Sequence, residues 1–149
     1  MRIEIRTAGP ADRSRCLELL GMLAQAANGE IDPAAGAVFD GLLGATRGEI
    51  LVAEGEGRVI GLASVSYNLA MRYGGEYCQL EELIVDPTAR GKNVGGLLVG
   101  ETVHRARIRG CAEYGLYLVE ATERNQPFYE KYGFRRVGSE MRQRLVRDD

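Results

Sequence analysis

The sequence is short of cysteine and histidine, and what it lacks narrows the choice of chemistry. Its three cysteines, Cys16, Cys78 and Cys111, are odd in number and far apart. No Cys-x-x-Cys pair occurs, so neither a disulfide framework nor a zinc site is expected, and no metal is assigned. They read as small buried hydrophobes in a reducing compartment. The single histidine, His104, falls on the outer face of a helix by periodicity, which makes it a poor base. No apolar run is long enough to cross a membrane. The opening residues Met1-Arg2-Ile3-Glu4-Ile5-Arg6 alternate like a strand and carry no signal-type core, so a cytoplasmic protein is expected. Charge is nearly balanced, with 19 basic and 21 acidic residues and a net charge of −2. That balance, with a pI of about 5.6, does not indicate a nucleic-acid surface. Internal repeats and low-complexity segments are absent.

What is present fits one soluble globular domain over residues 1–149, with 45% hydrophobic and 27% charged residues. Ile3 and Ile5 mark a first strand. Pro10 opens a helix with the stripe Cys16, Leu19, Leu20, Leu23 and Ala27. A weaker helix runs from Asp32-Pro33 through Val38, Phe39 and Leu42, and Gly44 to Gly48 break it. Ile50 to Ala53 form a strand, Glu54 to Gly57 a hairpin turn, and Val59 to Tyr67 the returning strand. A loop over 68–75 leads to a strand from Glu76 to Val85. After a long helix ended by Gly110, a strand is expected from Tyr114 to Glu120 and a short helix from Pro127 to Tyr132. A final pair of strands is expected between Phe134 and Val146. The order β-α-α-β-β-β-α-β-α-β is an α+β sheet sandwich.

The most informative stretch is 85–100, Val-Asp-Pro-Thr-Ala-Arg-Gly-Lys-Asn-Val-Gly-Gly-Leu-Leu-Val-Gly. An apolar strand end (Leu83, Ile84, Val85) is stopped by Asp86-Pro87. A loop of low bulk follows, and from Val94 the pattern is helical, with Gly95, Leu98, Val99, Thr102 and Ala106 on one face. A glycine-rich loop feeding a helix N-terminus aims unpaired N–H groups and the positive end of the helix dipole at one point. Such a concavity suits a phosphate or pyrophosphate, and Arg90 and Lys92 add charge beside it. It is not a P-loop, since no Gly-x-x-x-x-Gly-Lys-Ser/Thr occurs. Nor do Gly91, Gly95 and Gly96 have the spacing of a dinucleotide fingerprint.

The loop resembles the pyrophosphate loop of the GCN5-related N-acetyltransferases, whose usual form is Gln/Arg-x-x-Gly-x-Gly/Ala. Arg90 and Gly95 match it. Asn93 stands where the first glycine is usual, and Asn tolerates the left-handed backbone better than most residues. A second motif, Asn125-Gln-Pro-Phe-Tyr-Glu-Lys-Tyr-Gly-Phe134, is similar to the same family's Asn followed by Phe-Tyr-Glu-Lys-x-Gly-Phe. Asn125, Phe128, Tyr129, Gly133 and Phe134 match. The Asn-to-Tyr spacing is a few residues short, which Pro127 at the first helical turn offsets.

The resemblance implies an α+β acyltransferase fold, a mixed and mostly antiparallel sheet flanked by helices with splayed central strands. It implies acetyl-CoA as co-substrate and transfer to a primary amine by direct attack in a ternary complex. The pantetheine arm would be held by the main chain of Leu83, Ile84 and Val85. The pyrophosphate would lie on Arg90, Gly91, Lys92, Asn93, Val94, Gly95 and Gly96, with Asn125 and Phe128 also against the cofactor. Tyr129 would be the acid for the departing thiolate, since a phenol of pKa about 10 stays protonated at neutral pH. The alternative for Tyr129 is a core aromatic.

Glu81 and Glu82 are the candidate bases, because two glutamates inside an apolar strand are unusual. Strict alternation sends them to opposite faces, so one of them reaches a given cleft and the other meets solvent or an arginine. Glu81 is the one matching a glutamate that some family members use. A bulge would exchange the two. Tyr67, Asn68, Met71, Arg72 and Tyr73 form a loop that shapes the acceptor site in this fold, and they are compatible with a small polar acceptor. The strand and loop look most like small-amine acetyltransferases, the aminoalkylphosphonate acetyltransferases among them. A protein or peptide acetyltransferase, or a non-catalytic acyl-CoA-binding regulatory module, are the alternatives. A homodimer is compatible with any of these.

Overall fold

The computed structural model describes residues 1–146. It divides into two compact units, Met1–Leu116 and Tyr117 onward.

The first unit is a five-stranded sheet in the order β1-β2-β3-β4-β5 with helices packed on it. Strand β1 (Ile3–Thr7) pairs antiparallel with β2 (Gly48–Gly55), β2 with β3 (Arg58–Ala70), and β3 with β4 (Gly75–Val85). Strand β5 (Tyr114–Gly115) joins β4 in parallel. The β2–β3 turn is made by Glu56 (φ 53°) and Gly57 (φ 72°), both left-handed, which matches the strand twist of a two-residue hairpin.

Helix α1 (Arg13–Ala26) follows a short 3₁₀ turn that begins at Pro10. Asp12 fixes this junction: it accepts from the Gly9 N–H (2.8 Å) and takes both arms of the Arg6 guanidinium (2.8 and 2.9 Å). Helix α2 is Ala35–Leu42. Cys16 and Leu19 of α1 and Phe39 of α2 pack with Ile50, Val52, Leu62 and Ile84 on one face of the sheet. Leu23, expected in the stripe, is 43% exposed, so the buried face of α1 is narrower than its periodicity.

Helix α3 (Val94–Arg109) lies on the other face through Val94, Leu98, Val99, Thr102 and Ala106; the last four are buried as the periodicity predicts, while Gly95, expected on the same face, is only partly buried and Val94 takes its place. Its first turn sits close to the sheet because residue 61 is glycine. A Cβ there would stand 3.0 Å from Val94 Cγ1 and 3.2 Å from Leu98 Cδ1. Gly110 ends the helix in the left-handed conformation (φ 86°), and His104 is exposed on its outer face.

Three expectations are corrected. The loop expected over 68–75 is half strand: β3 continues to Ala70, and Met71–Tyr73 with Gly74 make the turn before β4 begins at Gly75. Extended cross-strand pairing, Asn68 with Tyr77 and Leu69 with Glu76, holds this hairpin arm. The strand expected over Tyr114–Glu120 is β5 alone, two residues long. The chain turns instead into a 3₁₀ helix over Glu120–Asn125, where Thr122 gives both its N–H (2.8 Å) and its hydroxyl (3.1 Å) to the Val119 carbonyl. The pair of strands expected between Phe134 and Val146 is absent. A strand needs a ladder partner, and this segment has none among the described residues; Val137, Met141 and Leu145 are 86, 95 and 84% exposed.

The second unit is organised around α4 (Gln126–Glu130), with Pro127 in its first turn. The rings of Phe128 and Tyr129 meet edge to face at 5.0 Å, and Tyr129 meets Phe134 at 6.0 Å. Gly133 turns the chain between them (φ 93°).

Candidate active site

Strand β4 is paired along one edge and only partly along the other. Its pairing with β3 runs to Val85, but its pairing with β5 covers only Cys78 with Tyr114 and Gln79 with Gly115. From Leu80 on, no strand covers that edge among the described residues. A bulge decides which backbone groups face it. Ser64 is opposite Glu82 and Val65 is opposite Leu80, so Glu81 is the extra residue. Before the bulge the Cys78 N–H points to the β5 side, where it binds the Glu113 carbonyl (2.8 Å). After it the Asp86 N–H points to β3 and binds the Ile60 carbonyl (2.9 Å). By alternation the N–H and C=O groups of Leu83 and Val85 therefore face the open edge, and those of Ile84 face β3.

The same bulge corrects the expectation that Glu81 and Glu82 lie on opposite faces. Glu82 accepts a hydrogen bond from the Ser64 hydroxyl, and Glu81 accepts one from Ser66 (2.6 Å). Ser64 and Ser66 are two apart on β3, so both carboxylates lie on the α1–α2 face. Asn68 extends this polar row by donating to the Ser66 hydroxyl (3.0 Å). Glu81 is exposed, whereas Glu82 is half-buried. Burial pushes the Glu82 carboxyl above the usual carboxylate range; the Ser64 bond opposes this and the Glu81 charge adds to it. Glu82 and Ser64 line a cavity of about 390 Å³ between the sheet, α1 and α2, whose walls include Leu17, Leu20, Phe39 and Leu62.

At the end of β4 the chain is anchored before it loops. Asp86 is buried; it accepts from the Thr88 N–H (2.9 Å) and hydroxyl (2.8 Å), from Arg58 (3.0 Å) and from Arg15. These bonds, led by the Thr88 N–H and then Arg15, lower its carboxyl to about 2. Beyond the 3₁₀ turn Pro87–Ala89, the exposed residues Arg90, Gly91 and Lys92 lead to Asn93. Asn93 takes the left-handed conformation (φ 59°), as expected of the residue replacing the usual glycine, and Gly91 does so too (φ 84°). The first intrahelical bond of α3 runs from the Leu97 N–H to the Asn93 carbonyl (3.0 Å), and no side chain caps the helix. The N–H groups of Val94, Gly95 and Gly96 are thus left for an outside acceptor. Glycine at 95 and 96 keeps side chains from covering them.

In the second unit Tyr129 is half-buried, and burial raises its hydroxyl pKa. Phe128 packs against both Tyr129 and Tyr132, while Asn125 is exposed at the N-terminus of α4.

The residues of the 67–73 segment have other occupations. Tyr67 is buried, donates to Glu49 and lies beneath the Arg109 guanidinium, 3.8 Å from its ring centre. Arg72 lies over the rings of Tyr73 and Tyr77. None of the segment lines the cavity, although Asn68 touches its polar row. Sequence reasoning missed Ser64 and Ser66. Two serines spaced by two in the apolar run 59–67 were the available sign. Asp86 was read only as a strand stop.

Comparison with known proteins agrees with this geometry. A glucosamine 6-phosphate N-acetyltransferase of Trypanosoma brucei brucei is 30% identical over 146 residues, covering 94% of each chain. A solved Trypanosoma brucei acetyltransferase superposes with a TM-score of 0.79 at 30% identity, over 97% of this chain and 100% of that one. The glucosamine-6-phosphate N-acetyltransferase of Arabidopsis thaliana shares the fold, with a TM-score of 0.80 at 23% identity, over 98% of this chain and 100% of that one. The family model described as the acetyltransferase (GNAT) family matches residues 17–134, which takes in the β4 edge, the loop before α3 and the Tyr129 helix, and the chain belongs to that family and is an acetyltransferase.

Proposed function

We propose that this enzyme transfers the acetyl group of acetyl-CoA to the primary amine of a small molecule, by direct attack while both substrates are bound. The observation that carries the reading is β4, open along one edge from Leu80 and running into a helix with an uncapped N-terminus. The features of this strand and loop fit acetyl-CoA. The open N–H and C=O groups of Leu83 and Val85 match an amide-bearing arm. The N–H groups of Val94, Gly95 and Gly96, with Arg90 and Lys92 beside them, match a pyrophosphate. Ile84, whose backbone faces β3, supports the strand without touching the arm. The relative's small amino-sugar substrate supports a small amine as acceptor. Because the family match spans both structural units, we take residues 1–149 to work as one catalytic domain.

When bound, acetyl-CoA supplies an acyl group activated as a thioester. The chain must supply the rest. Glu82 is the base in this reading: it lies in a cavity, and its raised pKa makes it a stronger base than an exposed carboxylate. Glu81, exposed and bonded to Ser66, lends its charge to Glu82 rather than taking the proton. Tyr129 is the acid for the thiolate, and Phe128 and Phe134 hold its ring. No helix among the described residues is long and apolar enough to cross a membrane. We place the protein in the cytoplasm, where its three unpaired cysteines stay reduced.

Thiol release from acetyl-CoA in the presence of a panel of primary amines tests the reading. Turnover that depends on both acetyl-CoA and a small amine is the expected result. Thermal stabilisation by CoA with no turnover on any amine would instead mark a binding module, and turnover on lysine-bearing peptides alone a protein acetyltransferase.

A further inference from the structure

The cavity beside Glu82 has a composition that constrains what enters it. Its polar lining consists of Asp32, Ser64 and Glu82, and the remaining lining side chains are apolar. Lysine, arginine and histidine are absent from the lining among the described residues. Asp32 is held in place by accepting the Ala34 N–H (2.8 Å) at the start of α2. A phosphate entering this space would meet two carboxylates, no cation and apolar walls that cannot hydrogen-bond it. An ammonium would be attracted by the same two carboxylates, and its carbon body would displace water from the walls.

We propose that this cavity is the acceptor site and that it takes a primary amine on an apolar body, an alkylamine or arylalkylamine, rather than a phosphorylated amino sugar. The inference rests on the acetyltransferase reading above and separates this chain's acceptor class from that of its glucosamine 6-phosphate relative. The amine nitrogen is placed at Glu82, where it gives up its proton, and the body lies among Leu17, Leu20, Phe39 and Leu62. The attacking nitrogen forms the new bond to the acetyl carbon, the carbon–sulfur bond breaks, and the thiolate takes a proton from Tyr129. Glu82 holds the first of the two protons that leave the ammonium; the second leaves the nitrogen as the amide forms and replaces the one Tyr129 gave, so the products are amide, thiol and one proton, which Glu82 releases to water.

The test is steady-state acetylation of 2-phenylethylamine, ethylamine, glucosamine and glucosamine 6-phosphate by the full chain. Two variants at the start of α2 accompany it. Val38 is 58% exposed and Ala34 is exposed, so both sites tolerate substitution, and circular dichroism checks the fold. Wild type should favour 2-phenylethylamine over glucosamine 6-phosphate in kcat/KM by about 10²-fold. Val38→Lys, which adds a cation to the lining, should cut that ratio by about tenfold or more. Ala34→Trp, which fills the cavity, should cut the ratio of 2-phenylethylamine to ethylamine by about tenfold. A wild-type preference for glucosamine 6-phosphate would overturn the proposed acceptor class and leave N-acetyl transfer standing. Ratios unmoved by both variants would place the acceptor elsewhere and overturn the site. No turnover on any of these amines would remove the small-amine reading, and this inference with it.

Discussion

Glu82 must be charged to take a proton, yet its surroundings favour the neutral form. Its carboxyl pKa is raised by burial, so the folded protein binds that proton more tightly than the unfolded chain does. Stability from this group is therefore complete below the unfolded value of about 4.3 and is lost as pH rises through the folded value. Glu82→Gln keeps the shape and an acceptor for Ser64 and removes the charge. It should raise the melting temperature at neutral pH, with the gain fading in acid, while kcat/KM falls by about 10²–10³-fold at neutral pH. The loss should shrink at high pH, where free amine is abundant. Glu81→Gln should have the smaller effect, since Glu81 is exposed; the reverse order, read from kcat/KM against pH for both variants, would exchange their roles. Tyr129→Phe keeps the ring contacts with Phe128 and Phe134 and should lower kcat by about 10²–10⁴-fold with the acetyl-CoA KM nearly unchanged. Full kcat in initial-rate measurements would return Tyr129 to a packing role. Both glutamates were legible as oddities in an apolar strand. Their faces were not, because alternation assumes an unbroken ladder, and a bulge that moves Glu81 out of register leaves no mark in the sequence.

At the scale of elements, the junction from β4 into α3 fixes the strand end and the loop that follows it. Asp86 ties the end of β4 to α1 through Arg15, to β3 through Arg58 and to the following turn through Thr88. Its carboxyl is lowered to about 2, so its contribution is present above the unfolded value of about 3.9 and is lost as pH falls from there toward 2. Asp86→Asn should cost about 2–3 kcal/mol, because Arg15 loses a buried partner. The deficit, measured by urea unfolding, should be present at pH 6 and narrow below pH 4, since wild type then loses the same charge. Gly95→Val places a branched side chain over the open N–H groups at the start of α3. The folded variant should lose the rise in melting temperature that acetyl-CoA gives the wild type, since a ligand stabilises only the state it binds. An undiminished rise in thermal scans would put the pyrophosphate elsewhere. This junction was read correctly from sequence because its determinants are local: an apolar strand end, Asp-Pro, and a helical period opening at Val94. The β3–β4 hairpin was read too short because cross-strand pairing, not local composition, carries Asn68 and Leu69 into the sheet.

At the scale of the whole molecule, the strands beyond α3 were the ones misread: β5 is two residues long, and the pair expected between Phe134 and Val146 does not form. Residues 135–146 are rich in arginine, with few β-branched side chains and no aromatic ring, and no ladder partner among the described residues makes a strand of them. The helices and the first four strands were legible from their periodicity and turn residues, β1 included, although its partner β2 begins only at Gly48. The placement of the three thiols gives the remaining prediction, about the order of events. Cys16 lines the acceptor cavity, but burial pushes its thiol up to about 11; Cys78 is pushed up to about 12, and Cys111 is raised as well. The thiolate is the nucleophilic form, so none of these residues is poised to carry an acetyl group at neutral pH. Transfer should then be direct. Initial rates with acetyl-CoA and amine both varied should give intersecting double-reciprocal lines rather than the parallel lines of a ping-pong reaction. Intact-mass measurement after mixing the protein with acetyl-CoA alone should show no acetylated protein. Parallel lines together with a mass gain of one acetyl group that a Cys16→Ala variant loses would establish a covalent route through the cavity instead.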